Sequence, residues 1–99
     1  MLNIEPYNDD IVALCKSLSV KRLYLVGSAV RPDFDKEKSD IDVMVEFEGQ
    51  EKLFYRYFDL KEGLEKLLGR NVDIIQLKAV KNPYIQRNLE RDKVTIYGT

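Results

Sequence analysis

The pattern of apolar segments predicts an α/β (α+β) fold: a small mixed β-sheet with helices packed mainly on one face. Apolar residues recur at helical spacing in three segments and cluster or alternate in four short ones. The two kinds follow one another as α, β, β, α, β, α, β. The longest helical segment lies between the second and third strands and is long enough for a crossover, so those strands are either parallel neighbours or separated by another strand.

Each element has its own signal. Asn8 ahead of Asp9 and Asp10 suits a helix start, and helical spacing continues to Leu18. Arg22 to Val26 (RLYLV) is short, apolar and bounded by Gly27, as a strand is. Asp40 to Phe47 (DIDVMVEF) alternates as a half-buried strand does. Leu53, Tyr57, Leu60, Leu64 and Leu67 mark one stripe of a helix over Lys52 to Leu68, with Gly69 as its stop. Asn71 to Leu77 (NVDIIQL) reads as a third strand. Asn82 before Pro83 gives a cap and a first-turn proline for a short helix to Asp92, and Lys93 to Tyr97 (KVTIY) is the last strand. The aromatic run Phe54, Tyr55, Tyr57 and Phe58 exceeds one stripe. It fits a helix wedged deep into a small core, or a contact surface for a partner or another copy.

Residues 1–99 are expected to form one domain, near the small end of what buries its own core. With 16 basic and 17 acidic residues the charge is balanced, which gives no sign of a nucleic-acid or membrane-surface binder. Lys36 and Lys38 alternate with acids, and Lys78 and Lys81 are too few for a basic stripe. The absence of histidine excludes His-based zinc sites and Ser-His or Cys-His catalysis, so carboxylates must carry any acid–base or metal chemistry. Cys15 sits on an apolar helix face as a packed thiol. No signal-peptide pattern and no apolar run of membrane-spanning length is found, which makes the cytoplasm the expected location.

The chemistry concentrates in the loop between the first two strands. Gly27 and Ser28 form a turn that either binds phosphate oxygens or simply reverses the chain. Asp40 and Asp42, two apart on a strand, project from the same face with Ile41 turned away. The pair is either a water-exposed strand start, with Ser39 and Asp40 as turn residues, or a divalent-cation site of the kind magnesium shares with substrate phosphates. Asp73, alone in an apolar strand, reaches the same place if the strands are neighbours, and is otherwise a strand-end carboxylate. Arg31 fits a triphosphate or the loop acids Asp33 and Asp35.

The combination of Gly27-Ser28, eleven residues, Asp40-Ile41-Asp42, and a later Val72-Asp73 resembles the DNA polymerase beta-like nucleotidyltransferase superfamily. More narrowly, GSAVRPDFDKEKSDIDVMVEF with NVDIIQLKAVKNPYIQRNLERDKVTIYG resembles the minimal nucleotidyltransferases, the MntA-type antitoxins paired with HEPN toxins. The loop is one residue longer than the common spacing, and Pro32 stands where a glycine often follows the arginine. The resemblance implies a nucleotidyltransferase fold and Mg2+, two ions, with ATP as donor. It implies Gly27, Ser28, Arg31 and Ser39 as nucleotide-binding residues and Asp40, Asp42 and Asp73 as catalytic and metal-binding residues. It further implies transfer of AMP to a tyrosine of a HEPN RNase toxin encoded nearby, within a homo- or hetero-oligomer. The alternatives are a silent module that neutralises the toxin by contact, and a transferase acting on a small molecule or RNA.

Overall fold

Four strands make one sheet in the order β3-β2-β1-β4 in the computed structural model, which describes residues 2–32, 40–76 and 79–98. The strands are β1 (Val20–Val26), β2 (Ile41–Phe47), β3 (Val72–Ile75) and β4 (Val94–Tyr97). The helices are α1 (Asn8–Ser17), α2 (Leu53–Leu68) and α3 (Pro83–Asp92). β1 pairs antiparallel with β2 and β4, while β2 and β3 are parallel neighbours joined through α2, so the sheet is mixed as expected.

The alternation along the strands sorts two faces. Leu23, Leu25, Val43, Val45, Val72 and Ile74 face α1 and α2, where they enclose Ile11, Cys15, Leu60 and Leu64. Full burial of such side chains contributes roughly 1.5–3 kcal/mol each. Gly63 lets the two helices approach, because a Cβ there would lie 2.7 Å from a methyl of Leu14. On the second face Tyr24, Val26 and Met44 are covered by Leu89 of α3 and by Ile75. Two helices thus share one face and the third takes the other. Cys15 is fully buried, and that burial pushes its thiol up to about 12, in keeping with a packed rather than nucleophilic sulfur.

Several boundaries differ from the sequence expectation. Asn8 is already helical, with φ −57° and ψ −47°, because a 3₁₀ turn over Glu5–Tyr7 leads straight into α1, and the cap position falls to Tyr7. β1 starts earlier, at Val20, which pairs with Phe47. α2 is capped by the backbone of Lys52 in the left-handed region, without a side-chain cap. β3 ends at Ile75 rather than Leu77, which lies outside the described residues. Asn82 does cap α3, its Oδ1 accepting from the N–H of Tyr84 at 2.9 Å and of Ile85 at 3.4 Å.

The wedged-helix expectation for the aromatic run is corrected. Tyr57 reaches the core, but Phe54 and Tyr55 are each 68% exposed and Phe58 is 49% exposed. At 100° per residue they fall on the flank and outer side of the Leu53-Tyr57-Leu60-Leu64 stripe, and they pack on one another, with Phe54 and Phe58 centroids 4.8 Å apart. Arg56 fastens the start of this helix instead. Its guanidinium donates to the carbonyls of Leu18, Ser19 and Glu48 at 2.7 Å and of Glu51 at 3.0 Å, and lies 4.7 Å from the Phe47 ring centroid. Among the described residues no helix is long and apolar enough to cross a membrane.

Candidate active site

Sheet topology gathers the carboxylates. Because β2 and β3 are parallel, their N-terminal ends lie side by side, and the register sets Asp42 opposite Asp73 on the same face. β1 is antiparallel to β2, so its C-terminal end arrives at that edge too, with Val26 opposite Asp42 and Gly27 next in the chain. Asp40 lies just before β2, exposed, two residues from Asp42.

Gly27 is fitted closely to this cluster. Its φ of +66° is in the left-handed region, which glycine adopts without strain. A Cβ built there would stand 2.7 Å from Oδ2 of Asp42, so the missing side chain is the space the carboxylate fills. From Gly27 the chain winds into a 3₁₀ turn over Gly27–Val30, in which Ala29 is buried and the Ser28 carbonyl accepts from the Arg31 N–H at 3.0 Å. Ser28 is half-buried at the rim.

The half-buried Asp42 carboxyl is held above the usual carboxylate range, first by loss of hydration and then by the charges of Asp73 and Asp40. Among the described residues no group of three or more His, Cys, Asp or Glu is gathered as a ready metal cage. Magnesium commonly binds through one or two carboxylates and takes its remaining ligands from water and substrate phosphates. A half-buried carboxylate beside like charges suits such a cation as a donor.

Arg31 is exposed in extended backbone after the turn. Its charge helps hold Asp92 at the end of α3 below the usual carboxylate range, behind the larger effect of the Arg91 side chain, whose Nε lies 3.0 Å from Asp92 Oδ1. Asp92 was not singled out in the sequence, where nothing links it to a residue some sixty positions away. Ser39, the loop acids Asp33 and Asp35, and Lys36, Lys38 and Lys78 lie outside the described residues. A hollow of about 540 Å³ lined by Lys21, Glu46, Phe47, Gln50, Leu53 and Gln76 sits at the opposite end of β2 from Asp42 and is separate from the carboxylates.

Comparison with known proteins agrees with this geometry. The family model for the nucleotidyltransferase domain matches residues 9–96. A Methanocaldococcus jannaschii protein named as a candidate protein adenylyltransferase is 44% identical over 78 residues, covering 78% of this chain and 77% of that protein. The protein adenylyltransferase MntA of Thermococcus cleftensis is 35% identical over 86 residues, covering 83% and 85%. A solved minimal nucleotidyltransferase superimposes with a TM-score of 0.77 at 27% identity, over 92% of this chain and 90% of that one. A toxin–antitoxin complex with AMP-PNP shares the fold at a TM-score of 0.71 and 20% identity, over 93% of this chain and 73% of that one. The MNT antitoxin complex of a tri-AMPylated Shewanella oneidensis HEPN toxin shares it at 0.65 and 18%, over 98% and 74%. With the nucleotidyltransferase domain model matched over residues 9–96 and the carboxylates gathered at one end of the sheet, this chain belongs to the nucleotidyltransferase domain family.

Proposed function

We propose that residues 1–99 act as one minimal domain, an antitoxin that transfers AMP from ATP to a tyrosine hydroxyl of a HEPN-domain toxin. The observation that carries this reading is the register of Asp42 against Asp73 with Gly27 seated on the Asp42 carboxylate. In this reading the turn at Gly27 and Ser28 receives the triphosphate, with Arg31 and Ser39 at its margin. Asp40, Asp42 and Asp73 are the residues that would hold magnesium, two ions, beside the triphosphate. When bound, the metal offsets the charge that develops on the attacking and leaving oxygens.

The acceptor oxygen attacks the α-phosphorus, and a new P–O bond forms as the bond to the β-phosphate bridging oxygen breaks. Pyrophosphate leaves with that electron pair, and Asp73 receives the hydroxyl proton. The product is an AMP ester of the acceptor. The partner is drawn from the relatives, whose structures hold HEPN toxins. In this reading the reaction takes place in the cytoplasm.

The test incubates ATP labelled at the α-phosphate and magnesium with this protein and the product of the adjacent gene, beside an Asp40→Asn, Asp42→Asn double variant. Label on a partner tyrosine, absent with the variant, is the expected result. A stable complex without label would move the reading to neutralisation by contact, to which the exposed Phe54, Tyr55 and Phe58 are suited. Absence of both would point to a small-molecule or RNA acceptor.

A further inference from the structure

β3 is an edge strand among the described residues, with β2 on one side and none of the other described strands beyond it. On the inner side the Ile41 N–H donates to the Asn71 carbonyl at 3.0 Å, which turns both backbone polar groups of Val72 outward. Side chains of α2 meet them there. The Val72 N–H donates to Oε2 of Glu65 at 3.1 Å, and the Val72 carbonyl accepts from Nζ of Lys61. Lys61 and Glu65, one helical turn apart, are themselves paired at 3.3 Å. A turn earlier the Tyr57 hydroxyl donates to the Ile74 carbonyl at 3.5 Å. A stripe of α2 thus runs along the outer edge of β3 and satisfies it as a further strand would. The Glu65 carboxyl is held below its usual range, first by the Val72 N–H and then by Lys61.

The residue so clamped immediately precedes Asp73. The peptide that joins them has its carbonyl fixed by Lys61, so the clamp sets where the Asp73 Cα sits relative to Asp42 across the parallel register. We propose that Lys61 and Glu65 are positioning residues for Asp73, holding its strand at the distance and angle that nucleotidyl transfer needs. This rests on the role for Asp73 proposed above.

The test measures kcat and KM for ATP, with labelled ATP and the adjacent gene product, on Glu65→Ala, Glu65→Gln and Lys61→Met, together with melting temperatures. Asp73→Asn tests the underlying reading, and Arg56→Lys, which loosens the opposite flank of α2, reports loss of stability alone. Because a misplacement of about 1 Å costs on the order of 100-fold in rate, a partial slackening is expected to lower kcat roughly tenfold in Glu65→Ala and Lys61→Met, with KM for ATP unchanged. Glu65→Gln keeps an oxygen for the Val72 N–H and is expected within about threefold of wild type. Wild-type kcat in Glu65→Ala and Lys61→Met, below their melting temperatures and with Asp73→Asn inactive, would reduce the clamp to a stability device. A loss in Glu65→Gln as deep as in Glu65→Ala would also overturn it. Full activity in Asp73→Asn would instead remove the role of Asp73, and the positioning role with it.

Discussion

Gly27→Ala is the sharpest probe of how the site is built, because one methyl group tests both the backbone and the carboxylate. The added Cβ would lie 2.7 Å from Oδ2 of Asp42, where ordinary contact begins at 3.4 Å, so the carboxylate must retreat by roughly 0.7 Å. The φ of +66° adds left-handed strain of about 1 kcal/mol for alanine. For a chain of this size that strain lowers the melting temperature by roughly 4–8 °C. In the proposed function, where the Asp42 carboxylate meets metal and phosphate, a shift of nearly an ångström is expected to lower kcat by about 30–100-fold, some 2–3 kcal/mol of barrier. Initial rates of label transfer from α-labelled ATP to the partner, taken at 20 °C beside a melting curve, separate the two effects. A variant that melts lower yet transfers within threefold of wild type would refute the view that Gly27 exists to seat Asp42.

Asp42→Asn is expected to abolish transfer while leaving the fold as stable as wild type or more so at neutral pH. The folded chain binds the Asp42 proton more tightly than the unfolded chain does, so the contribution of this group to stability falls as pH rises from the usual carboxylate range through its raised value. Denaturant curves at pH 4 and pH 7 should show the advantage of the asparagine variant shrinking toward acid. Arg56→Lys, which replaces a guanidinium spread over four carbonyls, should cost about 1–2 kcal/mol in urea unfolding with transfer unchanged. Cys15, buried and with its thiol at about 12, should resist alkylation at pH 8 in the native protein and react fully in denaturant. Tyr55→Ala, at a side chain 68% exposed, should leave the melting temperature within about 2 °C, as a surface change does, and weaken pull-down of the partner only if the α2 aromatics are its contact.

The sequence makes the elements legible to within a few residues because their signals are local: the period of α2, the Asn-Pro start of α3 and the alternation of β2. Asp40 and Asp42 are legible as a same-face pair for the same reason. That Asp73 joins them is not a local fact, since it depends on β2 and β3 being adjacent, parallel and in a register that opposes residues 42 and 73. Arg56 left no signal because its four partners are backbone carbonyls, which every residue carries. Lys61 and Glu65 look in sequence like an ordinary surface pair at i and i+4, and only the docking of α2 on the β3 edge makes Val72 their common partner. The aromatic run misled because residue type suggests burial, while the angular position of Phe54 and Tyr55 around α2 decides exposure.

The fold keeps a destabilising arrangement of acids at one end of the sheet and restrains it from behind. Burial first, and then the charges of Asp73 and Asp40, raise the cost of ionising Asp42. A cationic side chain in the cluster would relieve it and would also occupy the place of the metal. Among the described residues, cations lie instead behind and beside the strands: Lys61 on the outer edge of β3, Arg56 at the start of α2, and Arg31 within the field of Asp92. Each steadies backbone or a neighbouring acid without neutralising Asp42. In the proposed function the missing positive charge arrives with the substrate, as magnesium on the triphosphate, so ligand binding and relief of repulsion become one event. Magnesium with a non-hydrolysable ATP analogue should therefore raise the melting temperature of wild type and not of Asp42→Asn, and an equal rise in both would break that link.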